Sequence, residues 1–138
     1  MDQNTLPTAR SLALIRDALG SIAVVEADDA VRNSLHALLV SHGYAVECYG
    51  NAEQFLKHFQ WRPQCLLIVD AELPVMSGLE LLERLQADGR HLPVIMLASQ
   101  GSVPMTVRAM RAGAGDFLEK PFFQSALIKR IGELLEGA

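Results

Sequence analysis

LLIVDAELPVMSG, residues 66–78, decides the fold. With Cys65 before them, Leu66, Leu67, Ile68 and Val69 form a short unbroken apolar run. Such a run reads as a strand buried on both faces, the pattern of a parallel sheet. Asp70 ends it, so its carboxylate emerges at the carboxyl edge of the sheet, where open α/β folds place their ligands. Pro74 and Gly78 favour a loop, and Ser77 opens a helix with Glu80 three residues on, the spacing of a capping box.

The same alternation extends in both directions. Upstream, Ser21 to Val25 reads as a first strand followed by Glu26-Ala27-Asp28-Asp29, and Asp28 or Asp29 can cap a helix carrying Val31, Leu35, Leu38 and Leu39 at helical spacing. Tyr44 to Tyr49 is a second strand, and Asn51 caps a helix whose apolar face is Phe55, Leu56 and Phe59 before Trp61-Arg62-Pro63 breaks it. Downstream, Leu79, Leu82 and Leu85 stripe a third helix, Pro93 to Ala98 is a fourth strand, and Pro104 opens a helix with Arg108 and Arg111 in its last turn. Asp116 to Leu118 is a short fifth strand, Lys120 and Pro121 follow, and a final helix runs from Gln124 to Leu135. Residues 1–20 are expected to be an N-terminal extension, with Leu12, Ile15 and Leu19 on one helical face of Thr8 to Leu19, and residues 21–138 the domain proper.

Alternating strands and helices require a parallel sheet covered on both faces, because each helix must bury its stripe. The expected fold is therefore α/β and flavodoxin-like, a (βα)5 doubly wound parallel sheet with strand order 2-1-3-4-5. In that order the switch point lies between the first and third strands. Glu26 and Asp70 converge there, and Ala98 and Lys120 arrive from the strands beyond.

Composition narrows the function classes. The chain has 138 residues, half of them hydrophobic and a fifth charged, enough for one domain with a sizeable core and too apolar for a disordered tail. Sixteen acidic residues against twelve basic ones leave no global attraction for nucleic acid or an anionic membrane. No apolar run approaches the roughly 18 residues of a transmembrane helix, and Arg16 and Asp17 interrupt the one N-terminal stretch resembling a signal, so cytoplasmic residence is expected. Cys48 and Cys65 have no metal-ligand spacing, and strand order 2-1-3-4-5 places the first strand between them. That separates them by roughly 10 Å, so two free thiols are expected.

Carboxylates and a lysine at such an edge suit two related chemistries. A hard divalent cation such as Mg2+ takes one or two carboxylates and keeps several waters, and an exposed aspartate can accept a phosphoryl group as nucleophile while Lys120 offsets its charge. A plain Lys120 to Asp70 salt bridge is the structural alternative. A flavin or nucleotide pocket is disfavoured, since no glycine-rich loop follows the first strand and its acidic turn repels phosphate.

Three stretches, VVEADDAVRNSL at 24–35, LLIVDAELPVMSGLELL at 66–82 and GSVPMTVRAMRAGAGDFLEKPF at 101–122, together resemble the receiver domain of two-component response regulators, most like the FixJ/NarL-type receivers. The resemblance implies that Asp70 is the phosphoacceptor, that Glu26, Asp70 and the backbone carbonyl of Glu72 hold a metal ion, and that Lys120 supplies the counter-charge, with Lys120-Pro121 tending to be cis. Ala98 and Phe117 take the switch positions. It implies a histidine kinase or phosphotransfer protein as partner, and an interaction face on the fourth helix, fifth strand and fifth helix that would serve a homodimer, where Arg108, Arg111, Lys129 and Arg130 lie. The chain is then a signalling module rather than an enzyme, binding neither nucleic acid nor membrane itself.

Two positions depart from the family. Ala27 stands where the second acid of the pair would touch the metal, and Ala98 stands where Thr or Ser would grip the phosphoryl group, Ser99 being one residue too late. These departures make the active site atypical, with Mg2+ bound weakly or not at all. A phosphorylation-independent receiver acting through protein interaction is the alternative function.

Overall fold

The computed structural model describes residues 19–137. Its elements in chain order are β1 (Ser21–Val25), α1 (Asp29–Ser41), β2 (Ala45–Tyr49), α2 (Ala52–His58), β3 (Cys65–Asp70), α3 (Gly78–Ala87), β4 (Val94–Ala98), α4 (Val103–Arg111), β5 (Asp116–Glu119) and α5 (Gln124–Glu136). The five strands form one parallel sheet in the order β2-β1-β3-β4-β5. The expected helix from Thr8 to Leu19 lies outside the described residues except for Leu19 itself.

Strand alternation sends successive side chains to opposite faces, and each face has its own core. Ala23, Val25, Leu67, Val69 and Met96 pack with Phe55 of α2, with Leu81 and Leu85 of α3 and with Ala109 of α4. On the other face, Ile22, Val24, Leu66, Ile68 and Leu97 pack with Leu35 and Leu39 of α1 and with Leu127 and Ile131 of α5. The central strands are thus apolar at nearly every position because no face of them meets water. Cys48 and Cys65 are free thiols on β2 and β3, with β1 between them.

Capping follows the sequence closely. Asp28, Asn51, Ser77 and Ser102 each accept a backbone N–H three residues on, from Val31, Gln54, Glu80 and Met105. One helix ends earlier than its apolar pattern suggests. α2 stops at His58, and Phe59 is its extended C-cap rather than part of its face; the ring still stacks on Phe55 with centroids 4.7 Å apart. None of the described helices is long and apolar enough to cross a membrane.

The loop after Asp70 carries a strained residue. Val75 has φ 65° and is 94% exposed, so a β-branched side chain occupies the left-handed region with little packing in return. Val75→Gly should raise stability by about 0.5–1 kcal/mol, the relief of strain exceeding the added chain entropy. A urea midpoint that stays put or falls would show that the isopropyl group makes compensating contacts.

Candidate functional site

Four strand ends build the site. Asp70 closes β3, and the pairing continues one step further as Ala71 N–H donates to Leu97 O at 2.7 Å. Glu26 follows β1 directly, held by its N–H to Tyr49 O at 3.0 Å, and Lys120 follows β5 with its N–H donating to Ala98 O at 2.8 Å. Parallel register therefore brings residues 26, 70 and 120 to one rim from distant parts of the chain.

Their side chains meet. Lys120 Nζ donates to Glu26 Oε1 at 2.7 Å and also to Asp70 Oδ2. Glu26 Oε2 accepts the Ala27 N–H at 2.9 Å, and Asp70 Oδ1 accepts the Glu72 N–H at 2.8 Å. The two carboxylates are only 4% and 7% exposed, and Lys120 is 19% exposed. Each of the four carboxylate oxygens thus has a donor, as burial requires.

The charges do not balance, and the proton affinities reflect it. Burial raises the pKa of Glu26, the adjacent Asp70 carboxylate adds to the rise, and Lys120 offsets only part of it. Burial alone would raise Asp70 too, but its contacts with Glu26, Lys120 and the Glu72 N–H outweigh this and hold it below the usual carboxylate range. Lys120 is pushed upward, because the two carboxylates outweigh its own desolvation. Of the pair, Glu26 is the site of first protonation.

The other expected site residues add no side chain to this hydrogen-bonded cluster, although the Ala27 and Glu72 N–H groups bond to its carboxylates. Ala27 is exposed, and Asp28 is committed to capping α1 through Val31 N–H at 3.0 Å. Ala98 is fully buried and offers only a methyl group, while Ser99 is exposed. Phe117 is half-buried against the α2–α3–α4 core, with its ring edge beneath Gly101, where an added Cβ would fall 2.9 Å from it. The Glu72 side chain faces a different loop, accepting the Gln100 N–H at 3.4 Å. Lys120-Pro121 is cis.

Three supporting residues escaped the sequence reading. Arg32 Nη1 donates to Glu26 O at 2.8 Å while the same guanidinium pairs with Asp29, bracing the acidic turn. Glu53 Oε1 accepts the Met76 N–H at 3.2 Å and ties α2 to the loop after Asp70. Gly78 packs so closely that a Cβ there would lie 2.2 Å from Asp70 O. The Asp29 to Arg32 spacing was a readable signal; Glu53 and Met76 are 23 residues apart, and the closeness of Gly78 to Asp70 depends on how α3 docks on β3.

The donor set is of the oxygen type that Mg2+ takes. Glu26 and Asp70 are two carboxylates of that type, but they already share one ammonium. Among the described residues no group of three acidic, histidine or cysteine side chains gathers to hold a metal. The residues fit a hydrated Mg2+ held through few protein ligands, with one anionic donor fewer than an acidic pair plus Asp70 would supply.

A small doubly wound domain with a carboxylate and lysine cluster at its switch point has the architecture of the CheY-like signalling domains. A CheY-like receiver domain from Methanospirillum hungatei superposes with a TM-score of 0.79 at 29% identity over 86% of this chain and 94% of that one. Residues 22–132 match the response regulator receiver domain, and the chain belongs to that family, the receiver domains of two-component response regulators. It is 44% identical over 110 residues to the transcriptional regulatory protein FixJ of Azorhizobium caulinodans, covering 80% of this chain and 52% of that protein. It is 35% identical over 132 residues to the response regulator protein TodT of Pseudomonas putida, covering 96% and 58%. The crystal structure of FixJ-N superposes with a TM-score of 0.75 at 35% identity over 86% of this chain and 95% of that one. The chain spans about half the length of these curated relatives.

Proposed function

We propose that this receiver domain accepts a phosphoryl group at Asp70 from the phosphohistidine of a histidine kinase or phosphotransfer protein, at a site one acidic ligand short. The observation that carries this reading is the Asp70 carboxylate at the sheet rim, held low in pKa and already in contact with Lys120. An Asp70 oxygen attacks phosphorus as the donor's P–N bond breaks, and that bond's electron pair leaves on the imidazole. Lys120 shifts from the carboxylate to the phosphoryl oxygens and offsets their charge. Glu26, Asp70 and the Glu72 carbonyl would hold Mg2+, which when bound supplies further charge stabilisation.

Intact-protein mass after incubation with acetyl phosphate and Mg2+ tests the reading. The expected result is an adduct of roughly 80 Da, absent in Asp70→Asn. No adduct at high Mg2+ would leave the second reading, a receiver that works without phosphorylation. That reading draws on Lys120 being already engaged by both carboxylates and on Ala98, whose methyl group cannot hydrogen-bond a phosphoryl oxygen. Its expected interaction face on α4, β5 and α5 is partly committed internally. Arg108 pairs with Glu83, and Arg130 with Asp116 and Glu133, whereas Arg111 and Lys129 have no ion pair among the described residues.

Ala27→Asp restores a third carboxylate at an exposed position beside Glu26. It should tighten Mg2+ binding about tenfold, given that a close charge pair at a partly buried site contributes roughly 1–2 kcal/mol. Titration followed by amide shifts of residues 26–28 checks this, and unchanged affinity would place the acidic turn in a different register from the family's.

A further inference from the structure

The opposite rim of the sheet, a strand length or roughly 17 Å from Asp70, holds a hollow of about 560 Å3. It opens between the amino ends of β3 and β4 and the last turns of α3 and α4. Its floor is apolar and buried: Leu82, Leu85, Val94 and Ala112 are each at most 5% exposed. Trp61 forms one wall and is 62% exposed, and a second hollow of about 480 Å3 shares Trp61, Leu85 and Arg90 with it. A volume of this size over an apolar floor falls within the range of small-molecule sites.

The charge around it is one-sided. No Asp or Glu lines either hollow, although the chain carries sixteen acidic residues to twelve basic. Arg62, Arg90 and His91 do line them. Arg62 is engaged with Glu47 at 2.6 Å, but the Arg90 and His91 side chains have no hydrogen-bond or ion-pair partner among the described residues. An indole wall, an aliphatic floor and an unpaired guanidinium at the mouth complement a small molecule with a flat apolar body and one acidic group.

We propose that this hollow is a binding site for a small amphiphilic organic anion, an aromatic or aliphatic carboxylate or sulfonate, with its apolar body between Trp61 and Leu85 and its acid group on Arg90. The site lies outside the proposed phosphoacceptor cluster, sharing none of Glu26, Asp70 and Lys120.

Trp61 is the only tryptophan in the chain and so reports on the site directly. The full chain is titrated with anilinonaphthalene sulfonate, and in parallel with the uncharged phenylnaphthylamine, following Trp61 quenching and energy transfer to the probe. The expected result is saturable one-to-one binding of the sulfonate, at least about fivefold tighter than the uncharged probe, as a charge-assisted contact provides. Gln86 also lines the hollow, its Nε2 donating to Arg111 O at 3.4 Å. Arg90→Gln and Gln86→Glu should each weaken the sulfonate about five- to tenfold while leaving phenylnaphthylamine binding unchanged, and Arg90→Gln should also leave the urea midpoint unchanged. Equal binding of the two probes, or insensitivity to both substitutions, would overturn the proposal. So would absence of saturable quenching, which would leave residues 1–18 or a second copy as the occupant; sedimentation of the probe-free chain as a dimer would identify the second copy.

Discussion

Gly78→Ala should destabilise the domain by about 3 kcal/mol or more, because overpacking against backbone has no cheap relief. A Cβ at position 78 would fall 2.2 Å from Asp70 O and 2.9 Å from Ala71 Cα. Neither is the movable tip of a side chain. The start of α3 would have to withdraw from the end of β3, breaking the Gly78 N–H to Ala71 O bond of 3.1 Å and displacing the Asp70 backbone. Gly132→Ala is the control. It lies within α5 with nothing within 4 Å of the added carbon, so it should stabilise by about 0.5–1 kcal/mol through helix propensity. Urea denaturation of both variants makes the comparison, and equal midpoints would mean that α3 docks more loosely than its geometry indicates.

Lys120→Met is the second large effect. It leaves Glu26 and Asp70, 4% and 7% exposed, facing each other without a cation. Breaking a buried ion pair by removing one partner costs about 3–5 kcal/mol, and the rim position here argues for roughly 3. The deficit should depend on pH. In the native protein Asp70 is depressed, so its stabilising contribution is present above the unfolded carboxyl range and is lost as pH falls through its folded value. Glu26 is raised, so its contribution is present at low pH and is lost as pH rises through its folded value. Lys120 is raised as well and stabilises until pH climbs through its own folded value in the alkaline range. Without Lys120, protonation of Glu26 is the remaining way to relieve the pair. The variant's deficit should therefore be largest at neutral pH and should shrink on acidification through the Glu26 titration. A deficit under about 1 kcal/mol that is flat between pH 5 and 8 would mean that water, rather than the ammonium, neutralises the pair.

Under the proposed function Lys120 has two roles in tension: the contacts that make the resting cluster stable are those it would relinquish to meet a phosphoryl group. Glu26 shares that ammonium, so the rim holds one cation for two anions. On that reading Ala27 cannot recruit a metal ion as an acid would, and the resting contacts of Lys120 oppose phosphoryl transfer. A receiver built this way should be modified slowly or need a donor that brings its own positive charge.

The order and type of the elements, and the identity of the rim residues, follow from local pattern. Runs such as LLIVD and VIMLA state burial on both faces, and Asp28, Asn51, Ser77 and Ser102 mark helix starts because capping is a contact across three residues. Glu26, Asp70 and Lys120 were placed together from strand order alone, since a parallel sheet must deliver the ends of its strands to one edge. What the sequence left out depends on distances between segments with no spacing rule. The sharing of Lys120 by both carboxylates, the clamp from Glu53 to Met76, the approach of Gly78 to Asp70 and the acid-free hollow beside Trp61 arise only when helices dock on the sheet, because side-chain reach and close packing are properties of the assembled chain and not of any stretch within it.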